Sequence, residues 1–412
     1  MSDTLEQQVD AGTAYGLKLP TYNRDIVEVG PGTPMGELMR RYWQPCFTSA
    51  ELLSDRPRKV RLLGEDLIIF RDKQGRPGLV AENCCHRGTS LFYGRIEEDG
   101  IRCCYHGWKY DAEGRCLDRP CETGRGKNAG RIRQPWYPVV EQYGLVYAYM
   151  GPPDKKPVLP RWEIFENLQH DEVIEARFQP HCGPISVAHD RYEMAPMNFN
   201  WLAAYENTMD GPHVPWLHYN HSGDQFSALE LMEGQTEIPP YGQTENLIAK
   251  TVVAKTMLGV KQGFPMLAPG GQEVLACNEA IIPNSAVIPG FIDMVYFVPV
   301  DNHGFVQFFL WRSKYHGERS NLAELHNGKS WYELTDVERQ LSPGDYEAQQ
   351  SIGAVPFHSR EHLTQGDAAI VMLRRRLAEA VRDVQEGKDP IGVSFDQDAA
   401  PLAVEGHAFL PH

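Results

Sequence analysis

Two short segments of the chain carry side chains that bind transition metals. They are Cys84-Cys85-His86 and Cys103-Cys104-Tyr105-His106, so one offers a C-x-H pair and the other a C-x-x-H pair. Thiolate and imidazole together suit a tetrahedral zinc ion, or a [2Fe–2S] cluster in which two histidines replace two cysteines on one iron. The spacing of these ligands leaves both kinds of site open.

A second group of ionisable side chains lies further along the chain. Its members are Glu206, Asp210, His213 and His218. If Trp201–Met209 is helical, the two acids lie on one helix face at i and i+4. Pro212 and Pro215 must then distort the helix, so both imidazoles can face one metal. The alternative is a pair of ordinary surface or core histidines.

The first two segments, with their continuations Gly88-Thr89-Ser90-Leu91 and Gly107-Trp108-Lys109-Tyr110, resemble the cluster-binding loops of the Rieske non-haem iron oxygenase family. This resemblance implies that Cys84 and Cys103 bind one iron and that His86 and His106 bind the other. Gly88 and Gly107 would let backbone amides approach the cluster sulfurs closely. We expect Cys85 and Cys104 to be non-ligands, small buried thiols beside the cluster.

The second group is similar to the mononuclear-iron motif of the same family. That likeness implies that His213 and His218 are iron ligands in a 2-His-1-carboxylate triad, which leaves coordination positions open for dioxygen. The segment Gly344–Gly353 resembles the phthalate dioxygenase-like branch and makes Asp345 the third ligand. Glu347 is its competitor, and an acid that merely favours a helix start is the alternative for both.

The resemblance also implies how electrons travel. Asp210 would link His213 to a cluster histidine, His106, of a neighbouring subunit, and Glu206 would support Asp210. A carboxylate can accept hydrogen bonds from imidazoles on both sides and fix their tautomers. Such a path implies a head-to-tail homotrimer with heterologous contacts.

The remaining sequence predicts an α+β protein. We expect an N-terminal arm and helix at 1–40, an antiparallel β Rieske domain at 41–153, and a larger mixed catalytic domain at 154–412 with an antiparallel sheet surrounded by helices. A Pro- and Lys-rich stretch, Gly151–Pro157, marks the boundary. The periodicity predicts a short helix over Met35–Trp43 and a long one from Ile370 to Val384. Alternating runs predict strands at Lys59–Leu63, Leu67–Arg71, Gly144–Met150, Val173–Phe178, Thr251–Lys255, Glu273–Ile282, Met294–Val300 and Phe305–Trp311.

Length and charge restrict the partners. A chain of 412 residues is long enough for two domains or more, and its net charge of −15 would repel nucleic acid and anionic lipid. We expect no membrane association and a cytoplasmic protein, because no signal pattern or long apolar run is present. Nine cysteines, two pairs of them adjacent, indicate metal ligation and not a disulfide framework.

The resemblance implies a terminal oxygenase that uses O2 and NADH-derived electrons on a small aromatic substrate, an aromatic acid in most of this branch. We favour hydroxylation or O-demethylation, with cis-dihydroxylation of a ring as the alternative. The polar loop Gly124–Gly130 has the wrong spacing for a dinucleotide-binding turn, so a separate NADH-dependent reductase, with or without a ferredoxin, must supply electrons. A Rieske electron carrier or a zinc-stabilised binding protein would need only the first pair of segments.

Overall fold

The computed structural model describes residues 18–123, 131–179, 197–222, 251–267, 273–288, 292–313, 334–406 and 410–411. Most of the N-terminal arm and the loop Gly124–Gly130 lie outside the described residues. Within the described part, no helix is long and apolar enough to cross a membrane.

The first part of the chain forms two short helices and three small antiparallel sheets. The helices are α1 (Arg24–Val27) and α2 (Pro34–Arg40), and the strands are β1 (Trp43–Thr48), β2 (Arg58–Leu62), β3 (Glu65–Arg71), β4 (Pro77–Ala81), β5 (Arg95–Glu97), β6 (Gly100–Arg102), β7 (Lys109–Tyr110), β8 (Cys116–Asp118), β9 (Trp136–Tyr137), β10 (Val139–Gln142) and β11 (Leu145–Tyr149). The sheet orders are β1-β11-β10, β2-β3-β4-β9 and β5-β6-β7-β8.

The helix predicted over Met35–Trp43 was too long. Its helical part ends at Arg40, and Trp43 begins β1, where it pairs with Tyr149 of β11. The local periodicity extends across both elements, but strand pairing with β11 supplies backbone hydrogen bonds that a longer helix would give up.

The second part is built on one antiparallel sheet. Its strands are β12 (Val173–Gln179), β13 (Val252–Lys255), β14 (Gly259–Leu267), β15 (Glu273–Ile281), β16 (Ser285–Ile288), β17 (Ile292–Asp301) and β18 (Gly304–Ser313), in the order β12-β18-β17-β16-β15-β14-β13, and β19 (Leu410–Pro411) pairs with β15. The five strands predicted here agree with the structure to within two residues at each end.

Helices accompany this sheet. They are α3 (Glu163–Glu166), α4 (Trp201–Asn207), α5 (Asp336–Leu341), α6 (Asp345–Gln350) and α7 (Ala368–Gln385). Helix α7 confirms the predicted long helix, since Leu373, Leu377 and Val381 are buried at helical spacing and Gly387, with φ +79°, follows its end. The α+β class with two antiparallel parts is therefore confirmed.

Two hydrophobic cores support these parts. A small core lies under the Cys–His segments and includes Cys84, Cys103 and Tyr110. The large core extends from Ile26 to Val404 and takes side chains from both sides of the predicted boundary at residue 153. The division into 1–40, 41–153 and 154–412 therefore stays a prediction.

The start of β6 allows a test of how the small sheets are built. Gly100 has φ +154°, and a Cβ there would lie 1.9 Å from the carbonyl oxygen of Tyr110 on β7. We expect Gly100→Ala to lower the free energy of unfolding by about 2 kcal/mol or more, because the β6–β7 pair must separate. Urea unfolding followed by circular dichroism measures this loss.

Gly75→Ala is the matched control. Gly75 also has positive φ, +86°, but no atom lies within 4 Å of its added Cβ. Only the backbone penalty of about 1 kcal/mol is expected. Equal losses in the two variants would show that the contact with Tyr110 has no special cost.

Candidate metal centres

The two Cys–His loops share one backbone design. Gly88 N–H donates to the carbonyl of Cys84 at 2.8 Å, and Gly107 N–H donates to the carbonyl of Cys103 at 3.1 Å. Both glycines have positive φ, +76° and +71°, which glycine adopts without strain. Each loop therefore turns back directly after its first cysteine.

The side chains of the two loops separate into an inner and an outer pair. Cys84 and Cys103 are buried, and the rings of His86 and His106 lie edge to face with centroids 4.6 Å apart. Trp108 stacks on His86 at 4.4 Å and fixes the plane of that imidazole. Two thiols inside and two imidazoles outside match the ligand set of a [2Fe–2S] cluster with histidines on one iron.

The same geometry argues against a single zinc ion. A tetrahedral zinc with bonds of about 2.0–2.3 Å would bring all four donor atoms within about 4 Å of one another. Among the described residues, the one group of three or more donors that lie within 4.8 Å of each other is found elsewhere, at His213, His218 and Asp345. The four Cys–His donors do not form a group of this kind, and a [2Fe–2S] cluster divides its ligands between two irons.

Cys85 and Cys104 correct one expectation. Both were expected to be buried beside the cluster, and both are exposed. Cys85 and Cys104 each follow a cysteine whose carbonyl oxygen accepts the hydrogen bond that closes the turn, and turns of this kind lie at the surface. The Tyr110 hydroxyl lies 3.1 Å from Cys84 Sγ and 3.3 Å from Cys85 Sγ. Burial raises the pKa of Tyr110 well above its usual value, so the hydroxyl stays protonated and can donate to one of these sulfurs.

The second group begins on α4, a helix that is shorter than predicted. Asn200 caps its start, accepting from Leu202 N–H at 3.0 Å, and α4 ends at Asn207 and not at Met209. Asp210 lies beyond this end, so it does not share a helix face with Glu206 as expected. A helical turn, His213–Pro215, and a π-helical turn, Trp216–His221, follow.

This distorted stretch brings both imidazoles to one carboxylate. Asp345 Oδ1 lies 3.4 Å from His213 Nε2 and 3.3 Å from His218 Nε2, and the two rings have centroids 5.4 Å apart. The turn widens after Pro215, as was expected from the two prolines, and π turns often occur at functional sites. Two imidazole nitrogens and one carboxylate oxygen form the donor set of a 2-His-1-carboxylate site.

Hydrogen bonds around His213 determine which ring nitrogen can bind a metal. His213 Nδ1 donates to the carbonyl oxygen of Asp210, so Nε2 carries a lone pair. Asn207 Nδ2 donates to this Nε2 and to Asp345 Oδ1, at 3.2 Å each. Asn207 was missed from the sequence, because nothing in its neighbours indicates that its amide reaches residue 345.

The structure distinguishes the two carboxylates proposed for the third position. Burial by itself raises the pKa of Asp345, but the imidazoles of His213 and His218 lower that pKa well below its usual value, so the carboxylate is ionised. Glu347 instead accepts from Gly344 N–H at 2.9 Å and caps the start of α6. The geometry therefore favours Asp345.

Glu206 has partners other than the expected one. Arg374 on α7 donates to both of its carboxylate oxygens, at 2.6 and 2.7 Å, and also to both oxygens of Glu361. Burial raises the pKa of Glu206, and Arg374 opposes that shift. Glu206 thus anchors α4 to α7, and its expected support of Asp210 stays a prediction. The roles of Arg374 and Glu361 could not be found from local patterns.

Asp210 contacts His213 and is also partly exposed to solvent. Its carbonyl oxygen holds His213, while its carboxylate lies 3.9 Å from His213 Nδ1 and its side chain is 31% exposed. A carboxylate that contacts a candidate ligand and also reaches the surface can accept a hydrogen bond from another molecule.

The sequence is similar to those of known proteins. The family model described as Rieske [2Fe-2S] domain matches residues 42–142. The chain is 42% identical to "Phenoxybenzoate dioxygenase subunit alpha" of Ectopseudomonas oleovorans, over 97% of this chain and 94% of that protein. It is 34% identical to "Tert-butanol monooxygenase / tert-amyl alcohol desaturase oxygenase subunit" of Aquincola tertiaricarbonis, over 93% and 82%.

The fold has solved counterparts. The crystal structure of dicamba monooxygenase bound to dicamba superposes with a TM-score of 0.58 at 15% identity, covering 85% of this chain and 99% of that one. The family match and the two full-length relatives carry the assignment, and the structural likeness supports the fold. With its Cys–His loops and its 2-His-1-carboxylate geometry, the chain belongs to the Rieske non-haem iron oxygenases as an oxygenase subunit, with a [2Fe–2S] cluster and a mononuclear iron as its cofactors.

Proposed function

We propose that this oxygenase subunit hydroxylates or O-demethylates a small aromatic acid, using O2 and electrons from NADH. The observation that carries the proposal is the convergence of His213, His218 and Asp345, whose donor atoms lie within 4.8 Å of one another. An electron carrier would need only the Cys–His loops, so this second set of donors favours an oxygenase.

We assign the ligands as follows. Cys84 and Cys103 hold one cluster iron and His86 and His106 the other; the mononuclear iron is held by His213, His218 and Asp345. When bound, the cluster supplies single electrons and the mononuclear iron supplies the position at which dioxygen is reduced. The protein's contribution is orientation, because Trp108 fixes the His86 ring and the Asp210 carbonyl fixes the tautomer of His213.

The electron path requires a second copy of the chain. We propose that the Asp210 carboxylate bridges His213 to His106 of a neighbouring subunit in a homotrimer. The partial exposure of Asp210 and the surface position of the cluster imidazoles support this link. Glu206 acts at a distance, through the anchor to Arg374. A separate NADH-dependent reductase, with or without a ferredoxin, is the proposed donor, and the cytoplasm the proposed compartment.

The relatives support both candidate reactions. The relative at 34% identity is named a monooxygenase, whereas the relative at 42% identity is named a dioxygenase that acts on phenoxybenzoate, an aromatic acid with an aryl ether. Cis-dihydroxylation is therefore the second candidate. The aromatic acid as substrate class rests on the closer of these two relatives and on the resemblance of Gly344–Gly353 to the phthalate dioxygenase-like branch.

Product analysis distinguishes the two reactions. With a methoxybenzoate, NADH, a reductase and 18O2, we expect a phenol and formaldehyde in equal amounts, because the hydroxylated methyl group is released as formaldehyde and water takes up the second oxygen atom. Chromatography and mass spectrometry measure both. A cis-dihydrodiol with two labelled oxygens as the main product would establish dioxygenation.

Removing the proposed iron ligands gives a direct test of the second centre. His213→Ala and Asp345→Ala should lower the iron content from about three to about two per chain with about two acid-labile sulfides retained, since the cluster loops are untouched. Iron and sulfide analysis of the purified proteins measures this. Glu347→Ala is the control, because its cap can be lost without losing iron. A protein that keeps all its iron without Asp345 would exclude this carboxylate as a ligand.

Asp210→Asn tests the electron path. The amide keeps the shape of the side chain but loses the charge that accepts hydrogen bonds from two imidazoles, so we expect oxidation of the reduced cluster by O2 and substrate to slow about 100-fold. Stopped-flow absorbance of the dithionite-reduced protein measures the rate, and both metal contents should stay unchanged. Asp336→Asn, a change at a side chain that is 98% exposed, is the control. An unchanged rate in Asp210→Asn would remove this residue from the path.

A further inference from the structure

Two buried amides form a pair on the large sheet. Gln262 of β14 lies directly opposite Asn278 of β15, so both side chains leave the same face of the sheet. Gln262 is 0% exposed and Asn278 is 9% exposed. Their neighbours along the same face, Val260 and Ala280, are fully buried and apolar. Amides in such surroundings cost free energy unless they form hydrogen bonds.

The pair contacts the chain between α4 and the first candidate iron ligand. Asn278 Nδ2 donates to the carbonyl oxygen of Thr208 at 3.2 Å. Gln262 Oε1 accepts from Gly211 N–H at 3.1 Å. The two amides thus hold both ends of the segment Thr208–Gly211. The Tyr205 hydroxyl adds a third tie to the same sheet, donating to the carbonyl oxygen of Ile281 on β15 at 2.8 Å.

The segment Thr208–Gly211 fixes the orientation of His213. Asp210 lies inside it, and the Asp210 carbonyl oxygen accepts from His213 Nδ1. If Thr208 and Gly211 shift, that carbonyl shifts with them, and His213 Nε2 no longer faces Asp345. Hydrogen bonds that orient metal-binding imidazoles in this indirect way commonly set the affinity of the site.

We propose that Gln262 and Asn278 are positioning residues for the mononuclear iron, acting on His213 through the Thr208–Gly211 segment. The proposal rests on the function proposed above only in taking His213 as an iron ligand. It assigns to two sheet residues, far from the motif in sequence, the task of keeping one imidazole in the metal-binding tautomer and direction.

The hydrogen bonds of Gln262 suggest two variants, one that keeps the acceptor oxygen and one that loses it. Among the residues that the structure describes, Gln262 Nε2 has no hydrogen-bond partner, while Oε1 carries the bond to Gly211. Gln262→Glu keeps an acceptor oxygen of the same reach, and burial in this apolar site raises the pKa of the new carboxyl, so it stays protonated and adds no charge. Gln262→Met has a similar length and loses the acceptor.

Fe(II) affinity is the quantity to measure. Protein with an intact cluster but without mononuclear iron is dialysed anaerobically against Fe(II), and iron beyond the two equivalents that accompany the sulfides is counted. We expect Gln262→Met to bind this iron about 10- to 100-fold more weakly, Asn278→Leu to weaken it in the same direction, and Gln262→Glu to bind within a few-fold of wild type.

Gln44→Met is the control for loss of a buried amide in general. Gln44 is buried and accepts from Asn284 Nδ2 at 2.9 Å, in a network that does not contact Thr208–Gly211. We expect its Fe(II) affinity to be that of wild type even if its melting temperature falls. Should Gln262→Met lose its cluster through misfolding, Asn278→Leu decides the question alone.

The outcomes are distinct. Wild-type affinity in both Gln262→Met and Asn278→Leu would overturn the positioning role. Equal weakening in Gln262→Glu and Gln262→Met would also overturn it, because the Nε2 group and not the bond to Gly211 would then matter. A wild-type protein that binds no Fe(II) beyond the cluster would refute the proposed iron centre itself.

Discussion

The catalytic part of the molecule depends on the contact among His213, His218 and Asp345. Without a metal ion or a proton between them, the lone pairs of these side chains repel one another and lose their hydration. Asp345 Oδ1 lies within 3.4 Å of both imidazole Nε2 atoms, His218 is buried, and the Asp345 side chain is partly buried. Burying such groups is unfavourable unless they are paired. The surrounding structure must therefore force the contact. Helix α4, the π turn and the start of α6 meet there, and the β14–β15 pair binds the segment that leads to His213.

The ion cluster of Glu206, Arg374 and Glu361 helps to keep these elements in place. A guanidinium that bonds two carboxylates at once fixes α4 against α7 in one geometry. Breaking one partner of a buried ion pair typically costs about 3–5 kcal/mol. Glu206 immediately precedes Asn207, which bonds both His213 and Asp345, so this ion cluster holds the helix turn that carries Asn207.

Short-range chemistry was readable from the sequence, and long-range chemistry was not. The Cys–His segments, His213 and His218 are dense local patterns, and the strands and α7 followed from periodicity. The predicted end of α4 was wrong by two residues, and the Arg374 partner of Glu206 was missed because no local pattern connects α4 to α7. Asn207 and Gln262 were missed for the same reason. Asp345 was found only through its likeness to a family segment, since an acid at a helix start is common.

The two centres differ in how they are held. The loops of the cluster close on themselves, with Gly88 bonded to Cys84 and Gly107 to Cys103 within each turn. The mononuclear site joins Asn207 to Asp345, 138 residues apart, and needs three elements to stay docked at once. Local turns keep their geometry when other parts of a protein unfold locally. A site assembled from distant elements is lost when any one of those elements separates. The mononuclear iron should therefore leave first on mild unfolding, and a protein still coloured by its cluster need not be competent for oxygenation.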